Sequence, residues 1–194
     1  MSGAAISGGV IFGILFGIFV LILALWVVGV YNGFVKLRNL VQESWRQIDV
    51  ELHRRHELIP NLVQTVKGYA AHEQGVYEAV TQARAQAIGG PKGPAAQAAA
   101  ENQLSGALGR LFAVSEGYPD LKASVNFLQL QTELTNTEDR IAAGRRFYNA
   151  NVRELNTKVE SFPQNVIAGM FNFSKAEYFE VTDPRAFQAP NVQF

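Results

Sequence analysis

The chain has no cysteine, which excludes disulfides, thiolate nucleophiles, iron–sulfur clusters and cysteine-ligated zinc. Histidine is scarce, with three residues, so an imidazole-built metal centre has little material. Charge is missing altogether from the first 35 residues, and all 17 basic and 17 acidic side chains follow them. A formal net charge of zero lacks the basic excess with which a nucleic-acid binder neutralises phosphates, so no nucleic-acid partner is expected. Nucleophile-elbow (GxSxG), Walker A and GxGxxG sequences do not occur either. What remains is an apolar end followed by an ordinary soluble stretch, with room for about one folded domain.

Ile6 to Val30 is apolar and free of charge and proline. As a helix its 25 residues reach about 37 Å, enough to cross a hydrocarbon core of about 30 Å with some tilt. A secretory signal would carry a basic start and a small-residue cleavage site; MSGAAI has no Lys or Arg and the apolar run carries Trp26 near its end, so an uncleaved anchor is expected. Trp26 and Tyr31 fall where aromatic side chains favour the headgroup region, as membrane-interface anchors. Lys36, Arg38 and Arg46 follow the run while no basic side chain precedes it, which predicts an N-terminus outside and a cytoplasmic C-terminal domain at the plasma (inner) membrane. Ala5, Gly9, Gly13 and Gly17 recur every four residues, a small-residue face of the kind that lets transmembrane helices approach closely and self-associate.

Beyond the span, spacings of four and three alternate from Val41 through Trp45, Ile48, Leu52, Arg55, Ile59, Leu62 and Val66 to Ala87, the seam of a bundled helix. Pro60 interrupts this seam, because its ring clashes with the carbonyl of His56 and removes a backbone donor. Unbroken phase favours a kink there. Length matching favours a turn, with helices over 36–59 and 61–87. IGGPKGP (88–94) is a linker, Pro94 suits the first position of the next helix, and Gly117 ends that helix. A last helix over 120–162 carries an apolar seam from Phe127 to Phe162 and stops before Pro163. The fold class predicted is all-α: one N-terminal transmembrane helix, then a four-helix up-and-down, coiled-coil-like bundle. The divisions are a tail (1–5), the span (6–30), the bundle (31–162), an aromatic segment (163–182) and a loose tail (183–194). Counting helix directions returns the fourth helix towards the membrane. Phe162, Phe171, Phe173, Tyr178 and Phe179 would then contact either membrane or a neighbouring subunit, or else cap the bundle's open end.

HRRHE (53–57) holds the tempting histidines. His53 and His56 are three apart rather than four and lack the HExxH arrangement, so the expected reading is two histidines on a solvated helix, with no metal site and no cofactor. Arg55 and Glu73 stand on the seam, where each must reach the rim or find a partner inside, and are read as register-setting residues. No catalytic residue is assigned, and the chain is expected not to be an enzyme.

The stretches LRNLVQESWRQIDVELHRRHELIPNLVQTVKGYAAHE (37–73) and LSGALGRLFAVSEGYPDLKASVNFLQLQTELTNTEDRIAAGRRFYNANVRELNTKVESFP (104–163) strongly resemble the LemA family, as does the aromatic segment up to Glu180. The resemblance covers about 145 residues; 88–100 and the last twelve look variable. It implies a bacterial membrane protein with one N-terminal span, an N-terminus-out topology and a four-helix soluble bundle, which tips Pro60 towards a turn. It supplies no catalytic residues. Relatives are associated with envelope stress, with magnetosome and other membrane organisation, and with membrane metalloproteases encoded nearby. The resulting expectation is a non-enzymatic scaffold in the lipid bilayer that forms a homo-oligomer and shapes membrane. The alternative is an adaptor or regulator of another membrane protein, such as a protease.

Overall fold

The computed structural model describes residues 8–90 and 92–180, and among them every regular element is a helix. The order is α1 (Gly8–Lys67), α2 (Gln74–Gly89), α3 (Pro94–Ser115), the single-turn α4 (Pro119–Lys122), α5 (Val125–Glu160) and α6 (Gln164–Met170). The all-helical class and the long apolar first helix agree with the sequence pattern; six helices stand among the described residues where a span plus four was expected. α1 is the described helix long and apolar enough to cross a membrane.

The largest departure concerns Pro60, which lies inside α1 and ends nothing. The reversal comes eight residues later, between Gly68 and Glu73, where the amides of Tyr69 and Ala70 bond back to Val66 O. The expected helix over 61–87 is therefore divided between about the last two turns of α1 and α2. Two circumstances let α1 continue. Pro60 faces solvent, so its ring displaces no core side chain. The carbonyl of His56, deprived of its usual amide donor by the proline, accepts a hydrogen bond of 2.7 Å from Arg84 Nε on α2 instead. Unbroken phase, rather than length matching, was the sound guide.

The expected helix over 120–162 is also divided. Pro119 starts α4, the chain breaks at Ala123 and Ser124, and α5 runs from Val125 to Glu160. Pro94 does open α3, and Gly93 before it holds φ at 126°, a left-handed conformation that favours glycine.

The chain forms two compact units, Met1–Leu40 with Arg153–Ala176, and Val41–Val152 with Glu177–Phe194. In the second, helical seams meet in one core: Ile59, Leu62 and Val66 from α1, Tyr77 and Val80 from α2, Leu104 and Leu111 from α3, Leu121 from α4, and Phe127 and Leu134 from α5. Each fully buried large apolar side chain there contributes about 1.5–3 kcal/mol of transfer free energy. Gly144 lets α5 approach α1 closely, since a Cβ there would meet Ile48 Cγ1 at 3.1 Å. In the first unit, Phe34, Leu37, Leu155, Ile167, Ala168 and Phe173 are buried. The large apolar side chains between Val10 and Leu25 are exposed.

Candidate functional site

Inside the second unit lies a charged cluster that α1 and α3 build. Arg55 and His56 are neighbours on α1 and both are buried, the arginine side chain 3% exposed. Opposite them on α3 is Glu101, its side chain 2% exposed. Arg55 Nη1 donates to Glu101 Oε2 (3.1 Å), and Arg55 Nη2 donates to Ser105 Oγ (2.7 Å) and pairs with Glu138 Oε1 (2.8 Å) on α5. The other Glu101 oxygen meets His56 Nε2 at 2.8 Å and accepts from Gln97 Nε2 at 2.8 Å. Glu101 thus answers a guanidinium, an imidazole and an amide with two oxygens, which is what a buried carboxylate needs to remain in the interior. Burial pushes the Glu138 carboxyl above its ordinary range. Arg55 pulls it back down, while the charge of Glu101 adds to the rise. Arg55 and Glu101 are almost wholly enclosed while Glu138 keeps 46% of its side chain exposed, and together they tie α1, α3 and α5 to one another.

Sequence reasoning placed Arg55 on the seam and required a partner or a rim. The structure gives Arg55 a partner. Glu73 has the rim, half-buried at the turn before α2, where its carboxylate accepts from Tyr118 Oη at 3.4 Å. The two histidines of HRRHE part company: His53 faces solvent, bonded to Asp49 O, while His56 is buried on Glu101. That corrects the reading of both as surface residues. Among the described residues no group of His, Asp and Glu is arranged to hold a metal ion.

The first unit collects the aromatic residues. Tyr31, just past the apolar run of α1, places its ring edge against Phe171 (4.9 Å between centroids) and Phe173 (5.7 Å). Phe34 stacks on Phe173 at 4.9 Å, and the Arg38 guanidinium lies 5.4 Å from the same ring. Asn156 on α5 holds the extended chain after α6 at both ends of one residue, accepting from the amide of Ala176 (2.9 Å) and donating to its carbonyl (3.0 Å). In the second unit Asn149 grips Phe179 in the same way, at 3.0 and 3.1 Å. Phe179 is buried there against Trp45, and Tyr148 Oη donates to Glu177 O at 2.8 Å. Burial, with the charge of Glu177, pushes the Tyr148 hydroxyl up to about 12.

A model of the LemA family matches residues 44–194. The chain belongs to the LemA family. Among curated relatives, it is 30% identical over 175 residues to the magnetosome protein MamQ 2 of Paramagnetospirillum magneticum, covering 77% of this chain and 64% of the relative. It is 28% identical over 156 residues to the protein LemA of Metamycoplasma hominis, covering 80% and 71%. This LemA-family chain therefore spans just under two thirds of the length of the magnetosome relatives it matches.

In this LemA-family protein the residues singled out from sequence fall into three groups. Gly9, Gly13 and Gly17 lie on the exposed part of α1, where an added Cβ would meet nothing within 4 Å; Ala5, the start of the same ridge, lies outside the described residues. Trp26 and Tyr31 sit at the end of the apolar run and keep about a third of their surface. Of the aromatic five, Phe173 and Phe179 are buried, Tyr178 is half-buried, and Phe162 and Phe171 are exposed. The residues that sequence reasoning missed are Glu101, Asn149 and Asn156. Glu101 stands in an alanine-rich helix as one polar residue among several, and only the seam position of Arg55 signalled that a buried acid was owed.

Proposed function

We propose that this LemA-family protein is a non-enzymatic membrane scaffold, anchored by α1 with its N-terminus outside and its helical domain in the cytoplasm, which self-associates to organise or shape the bilayer. The observation that carries this reading is the bare face of α1. From Val10 to Leu25 its large side chains are exposed, and a Cβ added at Gly9, Gly13 or Gly17 would meet nothing within 4 Å among the described residues. An apolar helix left bare by the described residues draws on lipid and on further copies for its contacts, and a ridge of glycines favours the copies. The enclosure of Arg55, His56 and Glu101 supports a structural rather than a catalytic use of the chain's buried charges. Relatives named as magnetosome proteins support a role in a membrane-bounded setting.

The test replaces Gly9, Gly13 and Gly17 together with leucine, which keeps the span apolar while closing the ridge. Particle mass after gentle extraction, read by mass photometry, is expected to fall from an oligomer towards the single chain. An unchanged mass removes the transmembrane part of the reading, and a wild-type protein that is already monomeric removes the scaffold.

A further inference from the structure

The first unit leaves an apolar patch uncovered at one place outside the span. Phe162 is 83% exposed, Met170 68%, Val166 52% and Phe171 46%. Val166 and Met170 stand four residues apart on one side of α6, and Phe162 faces outward at the corner that leads into it. Ile167 and Ala168 on the other side are buried. The outer side of the short helix therefore carries Val166 and Met170 beside the polar Asn165, while Ile167 and Ala168 are satisfied by the protein.

The position of this corner along α1 identifies what covers it. A cleft of about 280 Å³ is lined by Trp26, Gly29, Val30 and Gly33 of α1 together with Lys158 and Gln164. The end of α5 and the start of α6 thus lie beside the last turns of the uncharged run rather than beyond it. Phe171 touches Tyr31 at the same level. Where α1 passes from hydrocarbon into headgroups, the corner is its neighbour. Amphipathic segments with Phe and other apolar side chains bury their faces about 5–10 Å into this boundary. A second copy of the chain would find less to hold. Four such side chains at these exposures offer roughly 400–500 Å², about half of the ~800 Å² per partner in a stable interface.

We propose that the α5–α6 corner is a second lipid contact, with Phe162, Val166, Met170 and Phe171 inserted into the headgroup–acyl boundary beside α1. This rests on α1 being a membrane span. Phe173 and Phe179, both buried, take no part. The corner adds an in-plane foothold to the span, so the segment after α5 is held at the bilayer surface instead of pivoting freely around a single helix.

Because the chain has no cysteine, one introduced thiol carries one label. The full chain is prepared as Phe162→Cys and Met170→Cys, with Leu21→Cys as the reference within the span and Asp120→Cys as the reference in water. Each is labelled with a nitroxide and reconstituted into phosphatidylethanolamine–phosphatidylglycerol vesicles. Collision with oxygen, which partitions into lipid, is compared with collision with a water-soluble nickel chelate. The ratio of oxygen to nickel accessibility at positions 162 and 170 is expected to lie several-fold above that at 120 and to approach that at 21. Nickel-dominated collision at 162 and 170, with position 21 still in lipid, overturns the proposal while leaving the span intact. Protection from both reagents at 162 and 170 means protein covers the corner and also overturns it. A water-like signal at position 21 takes down the span and the corner with it.

Discussion

Arg84→Met deprives the His56 carbonyl of the donor that replaces the amide Pro60 lacks. The bond is 2.7 Å long and comes from a charged group, and His56 is 6% exposed, so the abandoned carbonyl has little water to turn to. Leaving a buried acceptor unsatisfied costs about 1–3 kcal/mol. The same replacement in a Pro60→Ala background should cost far less, because the alanine amide can make the ordinary helical bond to His56 and only the packing of the arginine stem is lost. The coupling between the two positions should therefore be about 1–2 kcal/mol. Urea unfolding of the full chain in mild detergent, followed by far-UV circular dichroism, reads it. With a slope of about 2 kcal/mol per molar, the loss of midpoint caused by Arg84→Met should differ by about 0.5–1 M between the two backgrounds. Equal losses in both, additive within about 0.3–0.5 kcal/mol, would refute the idea that Arg84 stands in for the missing amide.

Two more outcomes follow from the buried polar groups. Glu101→Ala should destabilise the chain by about 3–5 kcal/mol, because Arg55 and His56 stay buried without their shared acceptor; replacing Arg55, His56 and Glu101 together with leucine should recover much of that loss, and a single-variant cost below about 1 kcal/mol in the same urea assay would contradict the role assigned to Glu101. Tyr148, with its hydroxyl pushed up to about 12, favours the native state while protonated. Its contribution is complete below the ordinary tyrosine value of about 10 and is lost as pH rises towards the folded value, by up to about 2–3 kcal/mol. Urea midpoints measured through that range should fall more steeply for the wild type than for Tyr148→Phe; parallel curves would count against it.

The apolar seams were legible because a 3.6-residue period leaves few choices of face. Val41, Ile48, Leu52, Ile59, Leu62 and Val66 are all buried, as their spacing required. Tyr69, next on the same count, is exposed, since the chain has already turned there and helical phase no longer applies. Pro60 misled by length matching, because a hydrogen bond from a residue 24 positions later in the chain has no local signature. Glu101 was hidden for a similar reason: its neighbours on α3 are small and unremarkable, and its importance lies wholly in what α1 places opposite. Asn149 and Asn156 were equally silent, since a side-chain amide that grips an extended backbone looks, in sequence, like any polar residue on a helix surface. Phe162 marks the reverse error. It continues the seam of α5 in spacing, yet α5 ends at Glu160 and the phenylalanine faces outward.

The bond from Arg84 to the carbonyl of His56 also gives the domain an order of assembly. During synthesis α1 emerges first, and the segment before Pro60 can coil as soon as it leaves the ribosome. The turn that passes Pro60 lacks a donor until residue 84 has been made and α2 has folded back. The nascent chain therefore carries a weak joint after His56 that closes only on the arrival of a later helix, so the final turns of α1 and the body of α2 should become protected together, as one cooperative step.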